Sequence, residues 1–156
     1  MILVGLAIPA IVLTMPGSPA KATTYFQLEN TEAPGCIQET GTQTGVWMGA
    51  CGSNHSDYWY QSSADALELV NEHSGYCLIV TGPDPGVWLS GCTPGVTVME
   101  WAIVAYPPGV LGGYKITNKH TGECLTYEQG QPDVIDQAPC DTGQSPFQTW
   151  YETSLG

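Results

Sequence analysis

Residues 71–80 read NEHSGYCLIV, and residues 118–127 read NKHTGECLTY. The two stretches share Asn, His, Gly, Cys and Leu at the same places. A third stretch, 30–36, reads NTEAPGC and keeps the Asn and the Cys. Because Asn and Gly tolerate the left-handed backbone of tight turns, we interpret each stretch as a turn that leads into a strand. A phrase that recurs in this way indicates a repeated structural unit.

The spacing of three residue types around these turns also recurs. The Asn precedes a first Cys by 6 residues, a second Cys follows after 15, 15 and 16 residues, and a Trp follows that Cys after 8, 9 and 10 residues. The three sets are Asn30, Cys36, Cys51 and Trp59; Asn71, Cys77, Cys92 and Trp101; and Asn118, Cys124, Cys140 and Trp150. We therefore divide the chain into three units, which cover residues 24–62, 66–106 and 113–153.

Each unit is predicted to consist of short β-strands. Apolar and β-branched residues open the units at 25–28, 67–70 and 114–117, and the runs 46–48 and 87–89 are bounded by Gly and Pro. No useful window after residue 22 shows the 3.6-residue periodicity of a helix. Four-stranded repeats of about 40–45 residues also occur as propeller blades, but propellers need about four to eight blades. Three units are therefore expected to close in another way.

The first 22 residues are predicted to be a signal peptide. The apolar run 2–13 is shorter than the roughly 20 residues of a membrane-spanning helix. Ala20, Lys21 and Ala22 form the small-x-small pattern of a cleavage site. We expect cleavage after Ala22, a domain at 23–156, and a secreted, extracellular protein.

The chain is strongly acidic. It has 15 acidic residues against 3 basic ones, all of them Lys, and a formal net charge of −12. Nucleic acid and anionic membrane surfaces need Lys and Arg on the protein that binds them. We therefore expect neither as a partner.

The cysteines are predicted to pair within the units. Six Cys in an exported chain indicate disulfides, and the absence of C-x-x-C argues against a structural zinc site. Six cysteines allow about fifteen pairings in general, but identical units are expected to make identical bonds. The predicted pairs are Cys36 with Cys51, Cys77 with Cys92, and Cys124 with Cys140.

Three such units, each with an internal Cys pair and a closing Trp, resemble the ricin-B-type β-trefoil lectin family over residues 24–153. Unit three keeps the family's closing Q-x-W motif as QTW at 148–150, whereas the other units have DYW at 57–59 and MEW at 99–101. The resemblance implies an all-β fold, the β-trefoil, with twelve strands and pseudo-threefold symmetry. A six-stranded barrel would be capped by three hairpins, and shallow sugar pockets would occur at up to one per unit.

The residues with which the family binds galactose are largely replaced in this chain. The family's Asp, two residues after the first Cys, is replaced by Gln38, Ile79 and Thr126. Its aromatic platform, two residues before the second Cys, is replaced by Gly49, Ser90 and Ala138. Its Asn, three residues after the second Cys, is matched by Asn54 alone. By this comparison no unit has a full galactose site.

Two tryptophans offer a substitute platform. Trp47 and Trp88 lie four residues before their second Cys, and a shift of two along a strand keeps the same face. Each indole could stack a sugar beside the space left by Gly49 or Ser90. The alternative is that both are packing residues buried between units. The candidate carbohydrate-binding residues are Trp47, Asn54, Trp88, Gln38 and Asp136, whereas Trp59, Trp101 and Trp150 are expected in the core.

The sequence favours binding over catalysis. G-x-S-x-G, H-E-x-x-H and the calcium-loop pattern are absent, so we expect no enzyme activity, no metal and no cofactor. The first hypothesis is a secreted carbohydrate-binding module that acts as a monomer on glycans or polysaccharides. Because the usual sugar-binding residues are missing, the alternative is a protein-binding β-trefoil, such as an inhibitor or a toxin-associated subunit that has lost sugar binding.

Overall fold

The structure, a computed structural model, describes residues 23–41, 45–62, 67–80, 86–106, 112–128 and 134–155. The predicted signal peptide lies outside these residues. The described residues form twelve strands and two single-turn 3-10 helices, at Thr97–Met99 and Pro146–Gln148, and no α-helix. The strands are β1 (Tyr25–Asn30), β2 (Cys36–Glu39), β3 (Val46–Gly49), β4 (Trp59–Gln61), β5 (Leu69–Asn71), β6 (Tyr76–Val80), β7 (Val87–Gly91), β8 (Trp101–Ala105), β9 (Tyr114–Asn118), β10 (Cys124–Tyr127), β11 (Ile135–Ala138) and β12 (Trp150–Leu155).

Six strands close a barrel. β1 pairs with β12 and β4, β4 with β5, β8 with β9, and β9 with β12, all of them antiparallel. The ring is completed between the starts of β5 and β8. There Glu68 and Glu100 form a bridge, and the Trp101 amide donates to the Leu67 carbonyl at 2.7 Å. The predicted all-β fold with a six-stranded barrel is confirmed.

The other six strands form one hairpin per unit, β2–β3, β6–β7 and β10–β11. The three hairpins contact one another. Two backbone bridges join them, Gly45 with Trp88 and Gly86 with Asp136. The hairpins therefore form one cap that crosses all three units.

The core repeats the same residue positions in each unit. Its largest side chains are Trp59, Trp101 and Trp150, each 0% exposed, as predicted. Two further trios surround them at equivalent places, namely Leu28, Leu69 and Ile116, and Ile37, Leu78 and Leu125. Each indole N–H donates to the carbonyl that follows the first Cys by one residue, at 2.9 Å in all three units. The closing Trp therefore fastens each hairpin to the barrel.

The repeated Asn stabilises its turn and also joins neighbouring units. The side chain of Asn71 is fully buried, accepts from the Ser74 amide at 3.2 Å, and donates to the Ser56 carbonyl of unit one at 2.8 Å. The Asn71 carbonyl accepts from the Gly75 amide at 2.9 Å, and Gly75 has a φ of 69° that favours Gly. The predicted turn role of this Asn is confirmed.

The three predicted disulfides are present. They join Cys36 to Cys51, Cys77 to Cys92, and Cys124 to Cys140, with Cα–Cα distances of 5.0, 5.1 and 5.0 Å. Each ties the first strand of a hairpin to a cysteine that lies one or two residues beyond the end of its second strand. In the chain-entropy model, a loop of this length contributes about 3 kcal/mol to stability.

Candidate functional site

The candidate residues lie on the outer faces of the three hairpins. The register places Gln38 opposite Trp47 in unit one, Ile79 opposite Trp88 in unit two, and Thr126 opposite Asp136 in unit three. Residues that lie opposite one another in an antiparallel pair project to the same face. The positions two residues after the first Cys and four before the second Cys therefore meet in each unit, although the residue types differ.

The outer face of unit one is filled by its own side chains. Gln38 is 8% exposed, and its Nε2 donates to the Ala50 carbonyl at 3.2 Å. A Cβ on Gly49 would come within 2.0 Å of that nitrogen, so the amide lies directly over the glycine. The space that the sequence interpretation left for a sugar beside Trp47 is thus occupied by Gln38. Ser56 connects this amide to Asn54, which is exposed.

A buried carboxylate completes the network of unit one. Asp57, which stands where the family has the Gln of Q-x-W, accepts from Gln27 Nε2 at 2.6 Å and from the Gly52 amide at 2.7 Å. Gln38 supplies the donor that a carboxylate lacks. In unit three, Gln148 alone bonds the amide after the second Cys and the carbonyl before it. In unit one, Asp57 bonds that amide and Gln38 bonds that carbonyl, so the same two bonds form without the motif.

The outer face of unit two is apolar. Met99 replaces the motif Gln, is 7% exposed, and packs with Val70, Ile79 and Val98. The Thr93 amide, which is equivalent to the Gly52 amide of unit one, points at the Met99 sulfur at 3.3 Å. Apolar packing therefore occupies the place that a hydrogen-bond network holds in unit one.

Unit three retains an open cavity. Its volume is about 300 Å³, and it is lined by Thr126, Tyr127, Glu128, Ala138, Pro139, Asp141, Ser145, Phe147 and Gln148. Gln148 braces it, because its Nε2 donates to Thr126 Oγ1 and to the Pro139 carbonyl, both at 3.1 Å, and its Oε1 accepts from the Asp141 amide at 2.9 Å. The intact Q-x-W motif thus belongs to the unit whose outer face holds this cavity.

Sequence reasoning missed most of the residues that line this cavity. It named none of Tyr127, Glu128, Asp141 and Phe147, and it used Gln148 only to recognise the repeat. The available signal was the motif itself, since unit three alone keeps Gln before x-Trp. Phe147 precedes that Gln, and Tyr127 and Glu128 follow Cys124 by three and four residues.

Asp136 lies next to this cavity, opposite Thr126 on the neighbouring strand. It is half-buried and forms a side-chain hydrogen bond with Glu128, which lines the cavity. Burial raises the pKa of Asp136, and the hydrogen bond and the negative charge of Glu128 raise it further. The two carboxyl groups form an acidic pair that one proton or one cation stabilises.

Trp47 and Trp88 are exposed, with 39% and 45% of their surface accessible. Their neighbours along the strands, Met48 and Leu89, point into the core at 5% and 3%. The alternative that the two tryptophans are buried packing residues therefore does not hold. Trp47 shares its face with Gln38, while Trp88 and Asp136 belong to the other two hairpins.

The described residues offer little to a metal ion. Glu29 lies close to Cys36 and Cys51, but both sulfurs are used in a disulfide. A disulfide sulfur has no thiolate charge with which to bind a metal. In the part of the chain that is described, no helix has the length and apolarity to cross a membrane.

No family model matches the chain, and no curated protein matches it. Solved structures do match. The hemolytic lectin CEL-III matches with a TM-score of 0.66 and 25% identity, over 81% of this chain and 29% of its own. A non-toxic homologue of type II RIPs from Momordica charantia, solved with α-methyl-D-galactoside, matches with a TM-score of 0.67 and 14% identity, over 84% of this chain and 48% of its own.

A designed threefold-symmetric protein, ThreeFoil, matches over 84% of this chain and 99% of its own, with a TM-score of 0.66 and 20% identity. The chain therefore spans less than half the length of the lectin and of the Momordica protein, but the whole length of the designed one. The fold is that of the ricin-B-type β-trefoils.

Proposed function

We propose that the protein is a secreted carbohydrate-binding module without catalytic activity and that unit three holds its principal sugar site. The observation that carries this proposal is the cavity of about 300 Å³ on the outer face of β10–β11. Ligand cavities span roughly 300–1,000 Å³, so this one suits a single sugar residue. The equivalent places in units one and two are filled by Gln38 and by Met99 with its apolar neighbours.

The lining of the cavity suits the mixed surface of a sugar. Tyr127 and Phe147 supply aromatic carbon, on which the C–H face of a pyranose can stack. Glu128 and Asp141 supply carboxylate oxygens that accept hydrogen bonds from sugar hydroxyls. A single shallow site of this kind binds weakly, so the protein would act on glycans that present many copies of their sugar.

The surroundings that we propose are extracellular. All six cysteines are in disulfides, and disulfides persist mainly outside the cytosol. The net charge of −12 and the absence of Arg disfavour nucleic acid and anionic membranes as partners. We propose a monomer that needs no cofactor or metal.

Binding is tested by applying the purified protein to a glycan array and to insoluble polysaccharides. The wild type is expected to bind at least one glycan class, and Phe147→Ala to weaken that binding by about tenfold, because a stacking aromatic is lost. Val98→Ala is the matched control, since Val98 holds the same place in unit two, three residues before Trp101. A blank array, or equal binding by Phe147→Ala, would refute the site. Release of free sugar would refute the absence of catalysis.

The second candidate function is protein binding, as in an inhibitor or a toxin-associated subunit. The apolar outer face of unit two favours it, because Ile79 and Val98 are only half-buried and Val96 beside them is 36% exposed. This function predicts a blank array together with a stoichiometric complex with a defined protein, which Val96→Asp abolishes. A glycan-positive array with no effect of Val96→Asp would argue against it.

A further inference from the structure

The exposed tryptophans and Asp136 are connected across the cap. Trp88 pairs with Gly45, which lies two residues before Trp47. Gly86, which lies two residues before Trp88, pairs with Asp136. Bridge partners share a face of the sheet, and so do residues two apart on one strand. Trp47 and Trp88 are therefore diagonal neighbours, and so are Trp88 and Asp136. These three residues, one from each unit, form a continuous surface that we name the cap face.

The indole of Trp88 lies back along its own strand, over Gly86. A Cβ on Gly86 would lie 2.7 Å from Trp88 Nε1, so the ring folds back over that glycine. Because Gly86 is the bridge partner of Asp136, the ring covers the strand that adjoins the acidic side chain. The glycine makes room for this orientation, which any larger residue would disturb.

Among the described residues, no lysine forms an ion pair with the acidic end of the cap face. Asp136 is hydrogen-bonded to Glu128, which is itself acidic. Among the described residues the only lysines are Lys115 and Lys119, and each is engaged elsewhere. Lys115 Nζ lies 3.0 Å from the Asp141 carbonyl, and Lys119 Nζ lies 2.9 Å from Glu100 Oε2.

We infer that the cap face binds a chain of amino sugars that carry free, protonated amines and directs that chain toward the cavity of unit three. This inference rests on the proposed function, because it names the sugar class of the same region. Two exposed indoles offer stacking surfaces for successive pyranose rings. A protonated amine is attracted to the face of an indole and is a donor to the carboxylates of Asp136 and Glu128.

The same chemistry disfavours the other sugar classes. A uronate or sialic acid would bring a negative charge next to Asp136 and its acidic neighbour Glu128, in a chain of net charge −12. An N-acetylated sugar can stack on the indoles but brings no positive charge. The preference for the free amine is therefore the property that distinguishes this inference from sugar binding in general.

The test compares two hexamers of equal length, β-1,4-linked glucosamine and its fully N-acetylated form, by calorimetry on the full protein at low and high salt. The wild type is expected to bind the free-amine hexamer about tenfold more tightly, and high salt to reduce the difference. Asp136→Asn and Glu128→Gln are expected to remove the preference. Trp88→Ala is expected to weaken binding of both hexamers, and Gly86→Ala to do so by displacing the indole without removing it.

Tyr151→Ala is the control, since Tyr151 is a 40% exposed aromatic on β12, which is a barrel strand and not part of a hairpin. It is expected to leave both affinities unchanged. Equal affinity for the two hexamers in a protein that binds neutral glycans on the array overturns the inference and leaves the proposed function standing. Binding to no glycan of any kind overturns both.

Discussion

The side-chain amide of Asn30 donates to the carbonyl oxygen of Phe147 at 3.1 Å and so joins the first unit to the last. Asn71 makes the corresponding bond to the Ser56 carbonyl, and Asn118 repeats it toward unit two. Each acceptor lies three residues before the closing Trp of its unit. The repeated Asn is therefore a connector between units as well as a turn residue, which explains why it survives where the rest of the repeat has diverged.

Asn71→Ala is expected to destabilise the protein by about 1–3 kcal/mol, because the turn amide of Ser74 loses its partner and the part-buried Ser56 carbonyl keeps only the Glu39 amide as a donor. Urea denaturation measures the change. His73→Ala, on an exposed residue of the same turn, is the control and is expected to stay within about 0.5 kcal/mol of the wild type. Equal midpoints for both variants would contradict the connecting role of the Asn.

Two tryptophans in unit two are expected to lose very different amounts of stability when each is replaced by Ala. Trp101→Ala should cost about 3–5 kcal/mol, since the side chain is 0% exposed and its N–H satisfies the Leu78 carbonyl. Trp88→Ala should change stability by no more than about 0.5 kcal/mol, because its ring is on the surface. Thermal unfolding of the two variants side by side decides this. A large loss in Trp88→Ala would show that the cap face is structural.

Removal of one disulfide is expected to be costly but local. The double variant Cys77→Ser, Cys92→Ser should lose about 2–5 kcal/mol, the usual effect when a small domain loses a native disulfide. The remaining pairs should persist, and peptide mapping without reduction should recover Cys36 with Cys51 and Cys124 with Cys140. A fragment that joins cysteines of different units would disprove the pairing within units.

The stability of the folded protein is expected to fall as pH rises, because Asp136 loses its proton. Burial, helped by Glu128, raises the pKa of Asp136 in the folded protein, so the folded state holds a proton at pH values where the unfolded chain has released it. Between the unfolded and the folded pKa of Asp136, stability therefore decreases as pH rises. At pH values below both pKa values, Asp136 is protonated in both states and does not change the stability. Burial also raises the pKa of Glu152, which acts in the same direction.

Asp136→Asn removes the titrating group. The variant is expected to be more stable than the wild type at pH 7 and to lose that advantage at pH 3, as followed by calorimetry at both pH values. Thr126→Ala, on the cross-strand neighbour of Asp136, is the control for local packing. A constant difference between Asp136→Asn and the wild type across the pH range would contradict this assignment.

Much of the fold could be predicted because its determinants lie close together in sequence and occur three times. The Asn, the two cysteines and the Trp of each unit fall within about 30 residues of one another, so their spacing is readable without a structure. The disulfide pairs followed from that repetition. The confirmed core position of Trp59, Trp101 and Trp150 followed in the same way.

The site was harder to predict, because cavities depend on which side chains fill a space. In sequence, Gly49 indicates an opening beside Trp47, but the amide of Gln38 covers it from the opposite strand. In unit three the shorter Thr126 stands at the place of Gln38 and lines the cavity. The cap face could not be predicted from the sequence either. It depends on the bridges of Gly45 with Trp88 and of Gly86 with Asp136, which join residues of different units.

The strand β1 finds its main partner at the far end of the chain, with Tyr25 opposite Leu155 and Asn30 opposite Trp150. Folding slows as the sequence separation of contacting residues grows, because the entropy of a long loop is lost before the contact can stabilise the fold. The barrel therefore cannot shut until the final strand has been synthesised. During translation β1 therefore lacks its main partner until β12 has emerged, and the three units complete the barrel together.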